Sequence, residues 1–177
     1  MRSFKLKFET AFTGLLSLVA FSSFGQDLQT AINFTKSEQY EDAETIFTQL
    51  IQKEPSNSNY YFYYGENILK SYFSDTISNS LKVSMAQAKE QFEKGMKADS
   101  LNPLNYIGLA KVAYYLNEDN TASNYRARAK MHLPPYKKIS RIADPKSYAF
   151  ALAKLAESYI KDEMVDTSLA LPLIREA

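Results

Sequence analysis

The chain has 177 residues, no cysteine, one histidine and five scattered glycines, and its 21 basic residues nearly balance 20 acidic ones. That composition excludes disulfide bracing, so stability must come from packing. It offers no Gly-rich phosphate loop, and near-neutral charge without a basic block argues against nucleic acid or an anionic membrane surface as the main partner.

Arg2, Lys5 and Lys7 make a basic start, interrupted by Glu9, and residues 11–21 form an apolar run of eleven. A bilayer span needs about 20 residues. Ser23 and Gly25 are small residues at cleavage-site offsets before Gln26, so residues 1–25 read as a secretory signal peptide. The mature part, 26–177, is then 152 residues with 18 basic against 19 acidic side chains, a net charge of −1. No cysteine follows the run, which closes the lipoprotein route. No second apolar stretch approaches spanning length, so the mature domain is expected not to insert into a membrane. The expected location is the periplasm or the extracellular space.

Helix formers fill the mature part, Gly and Pro sit mostly at segment edges, and no sustained apolar–polar alternation predicts a sheet. The first helix is expected over 28–37, with Ala31 and Phe34 inward. A turn at 38–39 leads to a second over 40–53, where Ala43, Ile46, Phe47, Leu50 and Ile51 recur at three-to-four spacing as one buried stripe. Pro55 stops it and 56–59 supply cap candidates. Helices are then predicted over 60–73, from 81 or 84 to 98, over 104–116 and 121–132, and over 145–161. After Pro134-Pro135 comes a basic connector, 137–141. A cap at 166–168 precedes an eighth helix, 169–177. Its apolar stretch Leu169-Ala170-Leu171-Pro172-Leu173-Ile174 does not look like the polar outer face of a terminal solenoid helix. The chain is therefore expected to be the N-terminal part of a longer repeat protein, or to pair at this end.

One arrangement recurs. Ala43-x3-Phe47, with Pro55 twelve residues beyond the alanine, is followed by Tyr61-x2-Tyr64-Gly65. Ala88-x3-Phe92, with Ser100 at the same offset, is followed by Tyr106-x2-Leu109-Ala110. Ala88 to Ala122 is 34 residues, whereas Ala43 to Ala88 is 45, an excess of 11 that falls in the loop 74–80. Helix pairs at such a period mean a solenoid, and solenoids tolerate loop insertions. The small residues Gly65, Ala43, Ala88 and Ala110 let helix axes approach, and Phe47 and Phe92 fill the junctions between pairs.

These motifs resemble the tetratricopeptide repeat over nearly all of 26–177. Tyr40-Glu41-Asp42-Ala43-Glu44-x2-Phe47-x2-Leu50-x4-Pro55 is the clearest copy. Tyr61, Tyr64, Gly65, Ala88 and Phe92 carry the second. Tyr106, Leu109, Ala110, Ala122 and Ala129 carry the third, with Arg126 where an aromatic is expected. Tyr148, Ala151 and Leu152 begin a weak fourth. With its leader, the chain looks like exported repeat proteins of the Bacteroidetes type. The resemblance implies an all-α, right-handed superhelical solenoid of antiparallel helix pairs, about 3.5 to 4 repeats, in units 26–57, 58–102, 103–144 and an incomplete 145–177.

It also implies that a protein or peptide partner lies in the groove formed by the first helices. Leu28, Ile32, Lys36, Phe62, Glu66, Leu69, Lys70, Ile107, Lys111, Tyr114 and Tyr115 would face it. One subgroup clamps a peptide's C-terminal carboxylate with Lys and Asn. Phe62 and Glu66 stand where that clamp needs a carboxamide or a cation, so a clamp of this type is not expected.

No catalytic constellation appears, and neither a cofactor nor a metal is expected. His132 has no sequence-linked carboxylate or cysteine and reads as a surface or capping residue. Glu41-Asp42 and Glu118-Asp119 fall at helix starts, where they complement the dipole. The run Tyr60-Tyr61-Phe62-Tyr63-Tyr64 points in all directions on a helix, so most of it belongs to packed interfaces. Phe62 and Tyr63 with Tyr114 and Tyr115 could otherwise floor a site for a peptide or glycan. The expected function is a non-catalytic interaction scaffold of the cell envelope. The alternatives are an interaction module of a longer protein with a functional domain beyond residue 177, and a glycan-binding or uptake component.

Overall fold

The computed structural model describes residues 24–133, 144–161, 164–165 and 172. The expected leader up to residue 23, the connector 137–141, the cap 166–168 and, apart from Pro172, the eighth helix lie outside them. The described residues form α1 (Phe24–Lys36), α2 (Tyr40–Lys53), α3 (Ser58–Ser74), α4 (Leu81–Ala98), α5 (Pro103–Tyr115), α6 (Asp119–His132), α7 (Pro145–Glu157), β1 (Ile160–Lys161) and β2 (Met164–Val165). Helices α1 and α2, α3 and α4, and α5 and α6 pair as antiparallel hairpins. The hairpins stack through α2 on α3 and α4 on α5, and first helices meet as α1–α3, α3–α5 and α5–α7. This is an all-α, tetratricopeptide-like solenoid.

One spacing fixes the buried stripe of every second helix. Ala43, Phe47 and Leu50 are interior in α2, Ala88, Phe92 and Gly95 in α4, and Ala122, Arg126 and Ala129 in α6. Steps of four and three residues keep them on one face of a 3.6-residue turn. The tyrosines that open the first helices close the other side of the junction. Tyr61 donates its hydroxyl to the Pro55 carbonyl at 3.0 Å, and Tyr106 repeats this with Ser100 at 3.1 Å. Both hydroxyls satisfy a carbonyl just beyond the end of a second helix.

Each new unit starts on a side-chain cap. Asn57 accepts from the Asn59 N–H, Asn102 from Leu104, and Asp144 from Lys146 and Ser147. Pro103 and Pro145 open α5 and α7, where a missing N–H costs nothing. The turns inside the first and third hairpins are also alike. Glu38 and Asn117 have φ of 62° and 61°, and the next N–H reaches back to Phe34 and Ala113, each at 2.9 Å. The second hairpin carries the surplus residues instead. There Asp75 Oδ1 accepts from the N–H groups of Ile77 and Ser78, and Asn79 donates to the Asp75 carbonyl.

Phe47 and Phe92 are fully buried. A Cβ built on Gly65 would come within 2.4 Å of the Phe92 ring, and so would one on Gly108. Phe92 of α4 thus sits in a slot between α3 and α5 that only two missing side chains leave open. Gly65 was legible as a close-approach residue; Gly108, beside the Leu109-Ala110 pair, was not.

Two expectations need correction. The helix expected over 145–161 stops at Glu157, and the chain is not free of strand. Ile160 pairs with Val165 and Lys161 with Met164 in a two-residue antiparallel ladder. Ser158 turns the chain out of the helix: its hydroxyl donates to the Leu155 carbonyl at 2.6 Å, and its own carbonyl is taken by Arg126.

Candidate functional site

Helix α3 carries the only glutamate among the fully packed residues of the described chain, Glu66, at 5 % exposure. Its two oxygens take Lys111 Nζ from α5 at 2.7 Å and Lys154 Nζ from α7 at 3.0 Å. Lys154 also pairs with Glu157 at 2.7 Å, and Lys111 lies 3.7 Å from that same carboxylate. Burial pushes the Glu66 carboxyl up, but the two ammonium groups outweigh it and hold it down to about 2. Burial likewise works against charge on Lys154, yet Glu66 and Glu157 lift it above the ordinary lysine value. Sequence reasoning placed Glu66 and Lys111 in the groove without pairing them, and did not single out Lys154.

Beside this network lies a cleft of about 240 Å³. Gln29, Ile32, Thr35 and Lys36 of α1 line it, as do Phe150 and Lys154 of α7. Phe47, Phe62, Tyr63, Glu66 and Lys70 complete it from α2 and α3. Thr35 donates to Asn67 Oδ1 at 2.7 Å while Asn67 donates to the Tyr40 carbonyl at 3.0 Å, which fixes α1 against α3. Phe150 reaches over the floor, with ring centroids 6.3 Å from Phe62 and 6.2 Å from Tyr63. The lysines at 36 and 70 are exposed.

Lys36, Phe62, Glu66 and Lys70 therefore meet in one cleft, together with Ile32. Lys111 joins them through its ion pair with Glu66. The remaining candidates do not line it. Ile107 is fully buried against Tyr106, Ala129 and Leu155. Tyr114 lies under the Arg126 guanidinium at 4.9 Å, and Tyr115 packs on Phe73 at 4.6 Å between centroids. Leu69 is core and Leu28 packs against the α1–α2 cluster. Phe62 is itself fully buried, so it supports the cleft from below rather than offering an open face.

The aromatic run divides as its helical spacing requires. Tyr60 bonds Glu54, Tyr61 bonds Pro55, Phe62 packs on Phe92, and Tyr64 stacks on Phe47 and bonds Glu44. His132 stacks on Tyr106, with centroids 5.3 Å apart.

Arg126 occupies the aromatic position of the third unit and still fills it. It is 7 % exposed, donates to the Ser158 hydroxyl and carbonyl, and stacks on Tyr159 at 4.2 Å. Replacing it with alanine is expected to leave a buried carbonyl unpaired and to lose about 2–3 kcal/mol. Urea unfolding checks this, and lysine at the position should restore only part of the loss, because it lacks the planar fork.

Among the described residues no group of three or more His, Cys, Asp or Glu could hold a metal, and no helix is long and apolar enough to cross a membrane. Neither a scan against protein-family models nor searches of curated proteins and solved structures return a match for this chain.

Proposed function

We propose that the chain is a non-catalytic interaction scaffold that is exported to the periplasm or cell exterior and holds a protein or peptide partner on the face formed by its first helices. The single observation that carries this reading is the cleft framed by α1, α3 and α7. It combines apolar walls with a few fixed polar groups, the usual makeup of a recognition site. The buried ion-pair network beside it makes the site rigid, because its members are anchored on three different helices.

Site-specific photocrosslinking tests the reading. A crosslinking residue at Gln29, on the lip of the cleft, is expected to capture a discrete partner from an envelope extract. The same residue at Gln49, exposed on α2 away from the cleft, is expected not to capture it. Equal capture at both positions would exclude the cleft as the partner site.

A further inference from the structure

We propose that the cleft takes one bulky apolar side chain from an extended, acidic segment of the partner, with carboxylates flanking that residue paired to Lys36 and Lys70. The proposal rests on the reading of the cleft as a partner site and adds the chemistry of the occupant.

Size sets the first limit. At about 30 Å³ per water, 240 Å³ holds about eight waters, the room of one large side chain. A single turn of helix, about 10 Å across and 5.4 Å long, needs roughly 400 Å³. Ile32 and Phe150 both line this space, which is smaller than a helical turn needs, so one side chain enters it and the backbone of the occupant runs along the mouth. The interior then selects the side chain: Ile32, Tyr63 and Phe150 present aliphatic and aromatic surface to it, over the buried Phe62.

Charge sets the second limit. Four lysines surround the cleft, at 36, 70, 111 and 154. Lys111 and Lys154 are neutralised by Glu66 and Glu157. Lys36 and Lys70 are exposed and make no ion pair with a described residue, which leaves a surplus of two positive charges among the described residues that line the cleft. The chain as a whole is near neutral, so this surplus is local and favours a segment of opposite sign.

The test uses the purified chain and a fluorescein-labelled peptide, Gly-Asp-Glu-Phe-Asp-Glu-Gly-Ser, with an amidated C-terminus. Fluorescence anisotropy is expected to show saturable binding that weakens about tenfold between low and high salt. Binding should weaken about tenfold or more when the peptide's Phe becomes Ser or its acids become Lys. Lys36→Glu with Lys70→Glu, both at exposed positions, should keep the melting temperature and transfer the preference to the Lys peptide. A peptide that binds only with a free C-terminal carboxylate overturns the internal-segment geometry. If the Lys peptide binds the unaltered chain as well as the acidic one does, and Gln29 still captures a partner, the acidic preference falls while the partner-site reading stands. If no peptide binds and Gln29 captures nothing, both fall.

Discussion

Replacing Glu66 with alanine is expected to cost about 3–5 kcal/mol of folding stability, the largest loss from any single charged residue among the described ones. The substitution leaves Lys111 and Lys154 half-sheltered beside one another with only the more exposed Glu157 between them. Breaking a buried pair is costly because an uncompensated charge stays behind. Changing Glu66 to Leu together with Lys111 and Lys154 to Met should instead be near neutral or stabilising, since all the desolvated charge leaves at once. Denaturant unfolding of both variants decides the matter; equal losses would mean that packing, not charge, dominates at this position.

The same carboxyl gives the fold an acid limit. Its value falls from 4.5 to about 2 on folding. A depressed carboxylate contributes stability that is complete above 4.5 and is lost as pH falls toward 2. The amount is at most about 3 kcal/mol. The melting temperature of the unaltered chain should therefore drop between pH 4.5 and 2, and Glu66→Gln should flatten that drop.

Gly108→Leu and Gly65→Leu are each expected to destabilise by about 1–3 kcal/mol or more, although leucine is the better helix former by up to about 1 kcal/mol. Both new side chains would enter the space of the Phe92 ring, since even a Cβ comes within 2.4 Å of it. Phe92→Leu shrinks the ring's claim on the slot, so either glycine substitution should cost less in that background. Thermal melts of the single and double variants form the cycle. Unchanged melting of Gly65→Leu alone would contradict the close approach of α3 and α4.

The stripe Ala43-Phe47-Leu50 and its copy at 88 and 92 were legible because a helix face is a local property, written at fixed short spacing. Tyr61 and Tyr106 were legible for the same reason. Gly108 was not, because its meaning depends on a ring 16 positions earlier in another helix. Arg126 looked like a departure from the repeat, and nothing in the sequence near it names Ser158 or Tyr159 as its partners. The ion-pair network was illegible in the same way, with Lys111 lying 45 residues and Lys154 lying 88 residues from Glu66. Such pairings depend on how tightly the helix pairs curve, which no local pattern encodes. The end of α7 was misplaced because helix-forming Ser158-Tyr159-Ile160-Lys161 gives no stop signal; a tertiary contact from Arg126 supplies it.

The bond from Lys154 to Glu66 joins the fourth unit to the second and passes over the third. An array whose members touch only adjacent members can gain or lose one in the middle at little cost. Here the cross-brace couples non-adjacent units, so a unit inserted between α4 and α7 would part Lys154 from Glu66. The brace therefore bars lengthening of the array between its second and fourth units.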